Sequence, residues 1–221
     1  MNTQAQKLID FTVQIRHTTT NAIVGTGVVA SALGELITCR HVVEMAGVAP
    51  QQSTAQELGI VFPRTRSREV EKICRAKVIK CFLDFDDDVV ILQVTQQVAI
   101  APPEIAVLGT AELSEGNPFR SYGFRQLGTS PSGYAEGTIM GSVMPFEGLK
   151  LQVDPIELRT RDIRPGMSGA GVLDMRRNLV IGLIAQRWNP GDSPIDDNLA
   201  WAVDNYVFKF EPVHLEFFDR G

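Results

Sequence analysis

Histidine is scarce in this chain, at three of 221 residues, and cysteine is equally scarce. The cysteines, Cys39, Cys74 and Cys81, are odd in number and lack metal-ligand spacing, which argues against a disulfide framework and a zinc cluster. Free thiols fit a reducing compartment, so a cytoplasmic location is expected. The first ten residues lack the apolar run of a secretory signal, in keeping with that expectation. No stretch approaches the ~18–20 apolar residues of a membrane-spanning helix, so no membrane partner is expected. Positive charge is not in excess: 21 Lys and Arg stand against 26 Asp and Glu, a net charge of −5. That leaves no basic footprint for nucleic acid. The local group Arg64, Arg66 and Arg68 reads as a solvated loop. Few segments sustain a 3.6-residue apolar period, which argues against a helical core.

What the chain does have is many short apolar runs punctuated by glycine and proline. Candidate strands are Phe11–Arg16, Gly27–Ala30, Glu35–Cys39, Leu58–Phe62, Ala76–Phe82 and Val89–Val94. After a break come Pro118–Gly123, Tyr134–Val143, Leu149–Val153, Ala170–Asp174, Val180–Ala185 and Ala200–Val203. Short helical turns are expected over His41–Ala46 and Asn205–Phe210. Such a pattern predicts an all-β fold rather than βαβ units. Two groups of strands separated by a linker over Thr95–Ala106, stiffened by Pro102-Pro103, predict two six-stranded antiparallel β-barrels. The first would occupy residues 1–100 and the second 101–210. Residues 211–221 show no pattern and read as a tail or the start of a further domain. A cleft between two halves is a usual place for a site.

Three residues stand out at the edges of these runs. His41 follows the apolar strand Leu36-Ile37-Thr38, Asp88 abuts the run Val89–Val94, and Ser168 sits in the glycine-dense turn Pro165-Gly166-Met167-Ser168-Gly169-Ala170-Gly171. Their order is His, Asp, Ser, the order used by chymotrypsin-type enzymes and not by subtilisin-type or α/β-hydrolase enzymes. A serine hydroxyl is a poor nucleophile until a base takes its proton. An imidazole can act as that base, provided a partner fixes its tautomer. Asp88 is the best placed of the four acids Asp84, Asp86, Asp87 and Asp88, with Asp87 the runner-up. Backbone N–H groups of Gly166 and Ser168 are candidates for an oxyanion hole. A nucleophile elbow of G-x-S-x-G type fails because Ala170 occupies its last position and a strand follows. That failure disfavours a rival triad through His214. His17 lies in a polar run and reads as a loop residue.

With these residues in view, the chain resembles the trypsin-like serine peptidases of bacteria, both the heat-shock branch and the trypsin-like domains of signalling and defence proteins. Gly25-Thr26-Gly27-Val28-Val29 is similar to the family's GTG-plus-strand start. Leu36-Ile37-Thr38-Cys39-Arg40-His41-Val42-Val43 looks like its base motif. Asp88-Val89-Val90-Ile91-Leu92 resembles its aspartate motif, with Val90 in place of alanine. Pro165-Gly166-Met167-Ser168-Gly169-Ala170 resembles P-G-x-S-G-G, with Ala170 as the departure. Val180-Ile181-Gly182-Leu183 and Ala200-Trp201-Ala202-Val203 are like the two strands that follow. The resemblance implies the chymotrypsin-type double barrel, a peptidase activity on polypeptide and no cofactor. It carries His41 over as base, Asp88 as orienter, Ser168 as nucleophile, and Gly166 with Ser168 as oxyanion donors.

The resemblance also implies a specificity pocket. Asp162, six positions before Ser168, matches the pocket floor, and a buried carboxylate there would select Arg or Lys. The other reading pairs Asp162 with Arg161, Arg164 or Arg187 on a surface loop. Arg187 aligns near the pocket entrance, Ala200 lies on a bordering strand, and a substrate strand would add beside Ala185–Arg187. Met167 stands where zymogen-type trypsins carry an aspartate, which points away from activation through an N-terminal salt bridge. Control would then come from loops or from a regulatory partner. The expected function is a serine endopeptidase, with the effector domain of a bacterial defence or signalling protein as its expected setting. The alternative is a catalytically idle or latent peptide-binding domain on the same fold.

Overall fold

The computed structural model describes residues 8–50, 56–66, 68–82, 88–96, 100, 104–124, 132–144, 155–187 and 199–208, with only the backbone for Gln186, Arg187 and Val207. Strands β1 (Thr12–Arg16), β2 (Ile23–Val29), β3 (Glu35–Thr38), β4 (Glu57–Phe62), β5 (Lys72–Cys81) and β6 (Val90–Val94) close a barrel in the order β1-β2-β3-β6-β5-β4. Strands β7 (Pro118–Phe124), β8 (Ser132–Ser142), β9 (Pro155–Arg159), β10 (Gly171–Asp174), β11 (Leu179–Arg187) and β12 (Leu199–Asp204) close a second, in the order β10-β11-β12-β9-β8-β7. Every pairing between these strands is antiparallel. A short helix, α1 (Arg40–Met45), follows β3, and a 3₁₀ turn over Asn205–Phe208 follows β12. Among the described residues no helix is long and apolar enough to cross a membrane.

The period-two pattern of the strands builds these barrels. On β5, Cys74, Ala76 and Val78 face inward while Ile73, Arg75 and Ile79 face out. Strand β3 is buried along its whole length, and its Leu36 and Ile37 share one apolar cluster with Val42 and Val43 of α1 and Leu183 of the second barrel. Each fully buried side chain of the size of Ile37 or Phe62 contributes about 1.5–3 kcal/mol. One apolar cluster joins the barrels, running from Ile37 and Ile91 to Leu183, Trp201 and Val203. A second, around Phe119, Ile156, Met167 and Ile184, fills the second barrel alone.

One expected strand lies outside the described residues, and one expectation about an arginine needs correction. Residues 145–154, which include the expected strand Leu149–Val153, lie outside the described residues, and the strand observed in this part of the chain is Pro155–Arg159. A proline breaks a central strand but is accepted as its first residue, and from there Ile156 and Leu158 alternate inward. Arg68 is not solvated: it is 5% exposed, stacks on the Phe62 ring and pairs with Glu104 at 2.7 Å. Glu104 belongs to the segment between the barrels. Two residues on, the Ala106 N–H donates to the Val29 carbonyl, and then the Gly109 N–H donates to the Val180 carbonyl. The crossing is therefore fastened first to one barrel and then to the other.

Candidate active site

Helix α1 starts with unsatisfied N–H groups, as every helix does. Cys39, at its N-cap, makes no side-chain capping bond. Asp88, across the sheet and just before β6, does the capping. Its carbonyl accepts the Arg40 N–H at 3.1 Å, and its Oδ1 accepts the His41 N–H at 2.9 Å. Its Oδ2 meets His41 Nδ1 at 2.5 Å. An ionised carboxylate only accepts hydrogen bonds, so this contact selects the ring form with its proton on Nδ1, which in the neutral imidazole leaves the lone pair on Nε2. The His41 side chain is 34% exposed and that of Asp88 is 12% exposed, which leaves the ring reachable above a buried support.

Ser168 follows one tight turn and is a central residue of a second. The Met167 N–H donates to the Arg164 carbonyl at 3.1 Å, closing a turn with Pro165 and Gly166 at its centre. Gly166 has φ +93°, which fits a type II turn and excludes type I. That sign of φ settles which way the Pro165–Gly166 peptide presents its N–H. The Ala170 N–H then closes a second turn on the Met167 carbonyl, with Gly169 at φ +82°. A Cβ on Gly169 would lie 2.0 Å from the Thr26 carbonyl oxygen and 2.4 Å from Thr38 Oγ1, so only glycine fits. Ala170, the departure from a second glycine, is buried facing Gly123, where an added Cβ would come within 3.1 Å of its methyl. The absent side chain at Gly123 accommodates it. Met167 is fully buried in the core of the second barrel, so the residue before Ser168 is anchored by packing rather than by an ion pair.

The two halves of the site converge on one carbonyl. Ile184 accepts the Gly169 N–H at 2.8 Å and the Cys39 S–H at 3.3 Å. Gly169 adjoins Ser168, and Cys39 precedes His41 by two residues. The Cys39 sulfur lies with the His41 ring and the Asp88 carboxylate in a group whose ligand atoms are all within 4.8 Å of one another. Burial, and then the charge of Asp88, pushes this thiol well above the usual thiol range.

The expected specificity residues separate. Asp162 is exposed, not buried: its Oδ2 accepts the Glu136 N–H at 3.2 Å and its own N–H donates to Thr160 Oγ1. The buried neighbour is Ile163, at 4% exposed, in the same apolar cluster as Ile184, Met167 and Ala200. Ala185 is the extra residue of a β-bulge, since Ile184 pairs with Ala202 but Gln186 pairs with Trp201. Ala200 is fully buried and pairs with Arg187, whose side chain lies outside the described residues. Asp87 and His214 also lie outside them. His17 caps its own loop, its Nδ1 accepting the Thr19 and Thr20 N–H groups. Thr26 and Cys39 are the residues that sequence reasoning missed. Both stand inside the motifs quoted above, but their contacts reach far along the chain.

Two closed barrels with this loop between them define the chymotrypsin-type class. A family profile described as trypsin-like peptidase domain matches residues 25–183. The chain therefore belongs to the trypsin-like peptidase domain family, whose members are serine proteases. No curated protein matches it in sequence. Among solved structures it is similar to the HtrA-type protease AlgW with decapeptide, with TM-score 0.65 and 14% identity over 93% of this chain and 65% of that one. The MamO protease domain from Magnetospirillum magneticum gives TM-score 0.65 and 13% identity over 92% of this chain and 96% of that one. A mutant, inactive form of Rv3671c from M. tuberculosis H37Rv gives TM-score 0.61 and 19% identity over 92% of this chain and 85% of that one. The chain thus spans just under two thirds of the AlgW chain's length.

Proposed function

We propose that this chain is a serine endopeptidase in which Ser168 attacks the scissile carbonyl, His41 takes its proton and Asp88 holds His41. The observation that carries this reading is the His41–Asp88 pair at 2.5 Å, with its ring partly exposed and its support buried. Attack forms a bond from Ser168 Oγ to the carbonyl carbon and moves the hydroxyl proton to His41 Nε2. The oxyanion then rests on the N–H groups of Gly166 and Ser168, each such donor being worth about 10²–10³ in rate. His41 gives its proton to the leaving amine, and water repeats the sequence on the acyl-enzyme. Among the described residues neither N–H has a backbone hydrogen-bond partner, which favours an enzyme over an idle peptide-binding domain.

Substrate backbone would add to β11 beside Ala185–Arg187. Gln186 and Arg187 pair with β12 on one side, while pairing with β10 ends at Leu183. All three cysteines are free thiols, which supports action in a reducing compartment. Selection of Arg or Lys through Asp162 has the exposed position against it, because a solvated carboxylate discriminates weakly. Ile163 is itself packed into the second-barrel core, so this stretch offers no buried carboxylate to select a cationic side chain, which leaves a preference for uncharged ones as the reading.

The test is cleavage of a randomised peptide library, read by mass spectrometry, with wild type, Ser168→Ala and Asp162→Ser. Wild type and Asp162→Ser should cut with the same preference for uncharged residues, and Ser168→Ala should not cut. A switch away from Arg or Lys in Asp162→Ser would restore the cationic pocket, and undiminished cutting by Ser168→Ala would end the proposal.

A further inference from the structure

Thr26, the middle residue of Gly25-Thr26-Gly27, takes no part in the chemistry just described, yet it lies against the nucleophile turn at three points. It belongs to β2 of the first barrel and is fully buried. Its backbone N–H donates to the Ser168 carbonyl at 2.9 Å. Its Oγ1 donates to the Gly166 carbonyl at 3.2 Å and accepts the Phe124 N–H, from β7, at 3.0 Å. Its own carbonyl accepts Thr38 Oγ1 at 2.7 Å and lies against the Cα of Gly169. A hydroxyl has one proton to give, so with Phe124 as donor to it, that proton is committed to Gly166.

The consequence concerns peptide orientation. Thr26 holds the carbonyls of Gly166 and of Ser168, one with its side chain and one with its backbone. These two carbonyls flank the peptide that carries the Ser168 N–H, and the first adjoins the peptide that carries the Gly166 N–H. Flipping a central peptide between type I and type II is the ordinary way such a turn relaxes. The Ser168 carbonyl, in the central peptide of the second turn, and the Gly166 carbonyl, next to the central peptide of the first, are both held from the first barrel, which resists that rotation and keeps the two N–H groups presented as the geometry of Gly166 sets them.

We infer that Thr26 is a positioning residue, which locks the oxyanion-hole turn of one barrel to a strand of the other and so keeps the Gly166 and Ser168 N–H groups presented for charge stabilisation. This rests on the peptidase reading for its catalytic consequence, though not for its structural content. Threonine suits the place because its hydroxyl both accepts and donates, while its methyl fills the packing of a β position. Valine keeps the shape and removes the hydroxyl; serine keeps the hydroxyl and removes the methyl.

The experiment compares full-length wild type, Thr26→Val and Thr26→Ser in two readouts, with Thr26→Ala replacing the valine variant if that one fails to fold. The first readout is the rate of labelling by a fluorophosphonate probe, with saturation to separate probe binding from reaction. Thr26→Val should lower the reaction rate by about tenfold to a hundredfold at unchanged probe affinity, and Thr26→Ser should restore most of it. The second is the pair of amide resonances of Gly166 and Ser168 in ¹⁵N-labelled protein. These should move in Thr26→Val and return in Thr26→Ser. Unmoved amide resonances in a folded Thr26→Val overturn the inference whatever the labelling shows, as does labelling at the wild-type rate. A wild type that takes no label overturns the peptidase reading alone, and the amide resonances still decide the role of Thr26.

Discussion

Asp88 serves His41 twice, once through the backbone of α1 and once through the ring. The same carboxylate that caps the helix start also fixes the tautomer, so ring orientation and helix position are not independent. Below it, Cys39 stays a neutral thiol, raised first by burial and then by the charge of Asp88. A thiol raised in the folded state and ordinary in the unfolded state lends stability in full below its unfolded value of 9.0, and that stability is lost as pH climbs from there towards the folded value. Urea denaturation of wild type and Cys39→Ala should therefore show wild type losing more stability than the variant between about pH 8 and pH 10.5. Parallel losses would contradict the assignment. At this scale His41, Asp88 and Ser168 stood out in the sequence because each sits at the end of an apolar run in a telling order, and the structure brings His41 and Asp88 into contact. Thr26 and Asp162 were not legible. Thr26 takes its role from a partner 140 residues away, and the exposure of Asp162 depends on how its loop is hung from β8.

The segment between the barrels is the element on which their mutual placement depends most visibly. Glu104 neutralises Arg68, whose side chain is 4% exposed, and Ala106 and Gly109 hydrogen-bond to β2 and to β11. Removing Glu104 leaves a buried guanidinium unpaired, which costs about 3 kcal/mol or more. Glu104→Ala should accordingly lower the urea midpoint while leaving fluorophosphonate labelling intact at temperatures where the protein is folded. A midpoint within error of wild type would show the pair to be dispensable. Strand existence was readable from alternation and turn residues, as on β5, whereas β9, which opens on Pro155, was not among the expected strands. Arg68 misled for a related reason: a local cluster of arginines says nothing about a glutamate far along the chain that buries one of them.

At the scale of the whole molecule, the site exists only because the barrels meet. His41 and Asp88 come from the first, Ser168 and β11 from the second, and the Ile184 carbonyl takes a hydrogen bond from each side. An apolar seam from Ile37 to Trp201 and a set of hydrogen bonds from Thr26 hold that meeting in place. The double barrel itself was legible as two groups of strands about a linker, since alternation reports burial directly. The most direct test of the central claim is the stoichiometry and site of fluorophosphonate labelling by intact mass and peptide mapping. The account predicts one probe per chain, on Ser168, with labelling abolished in Ser168→Ala and slowed by about a thousandfold or more in His41→Ala. Folded wild type that takes no probe, or His41→Ala that labels as fast as wild type, would contradict it.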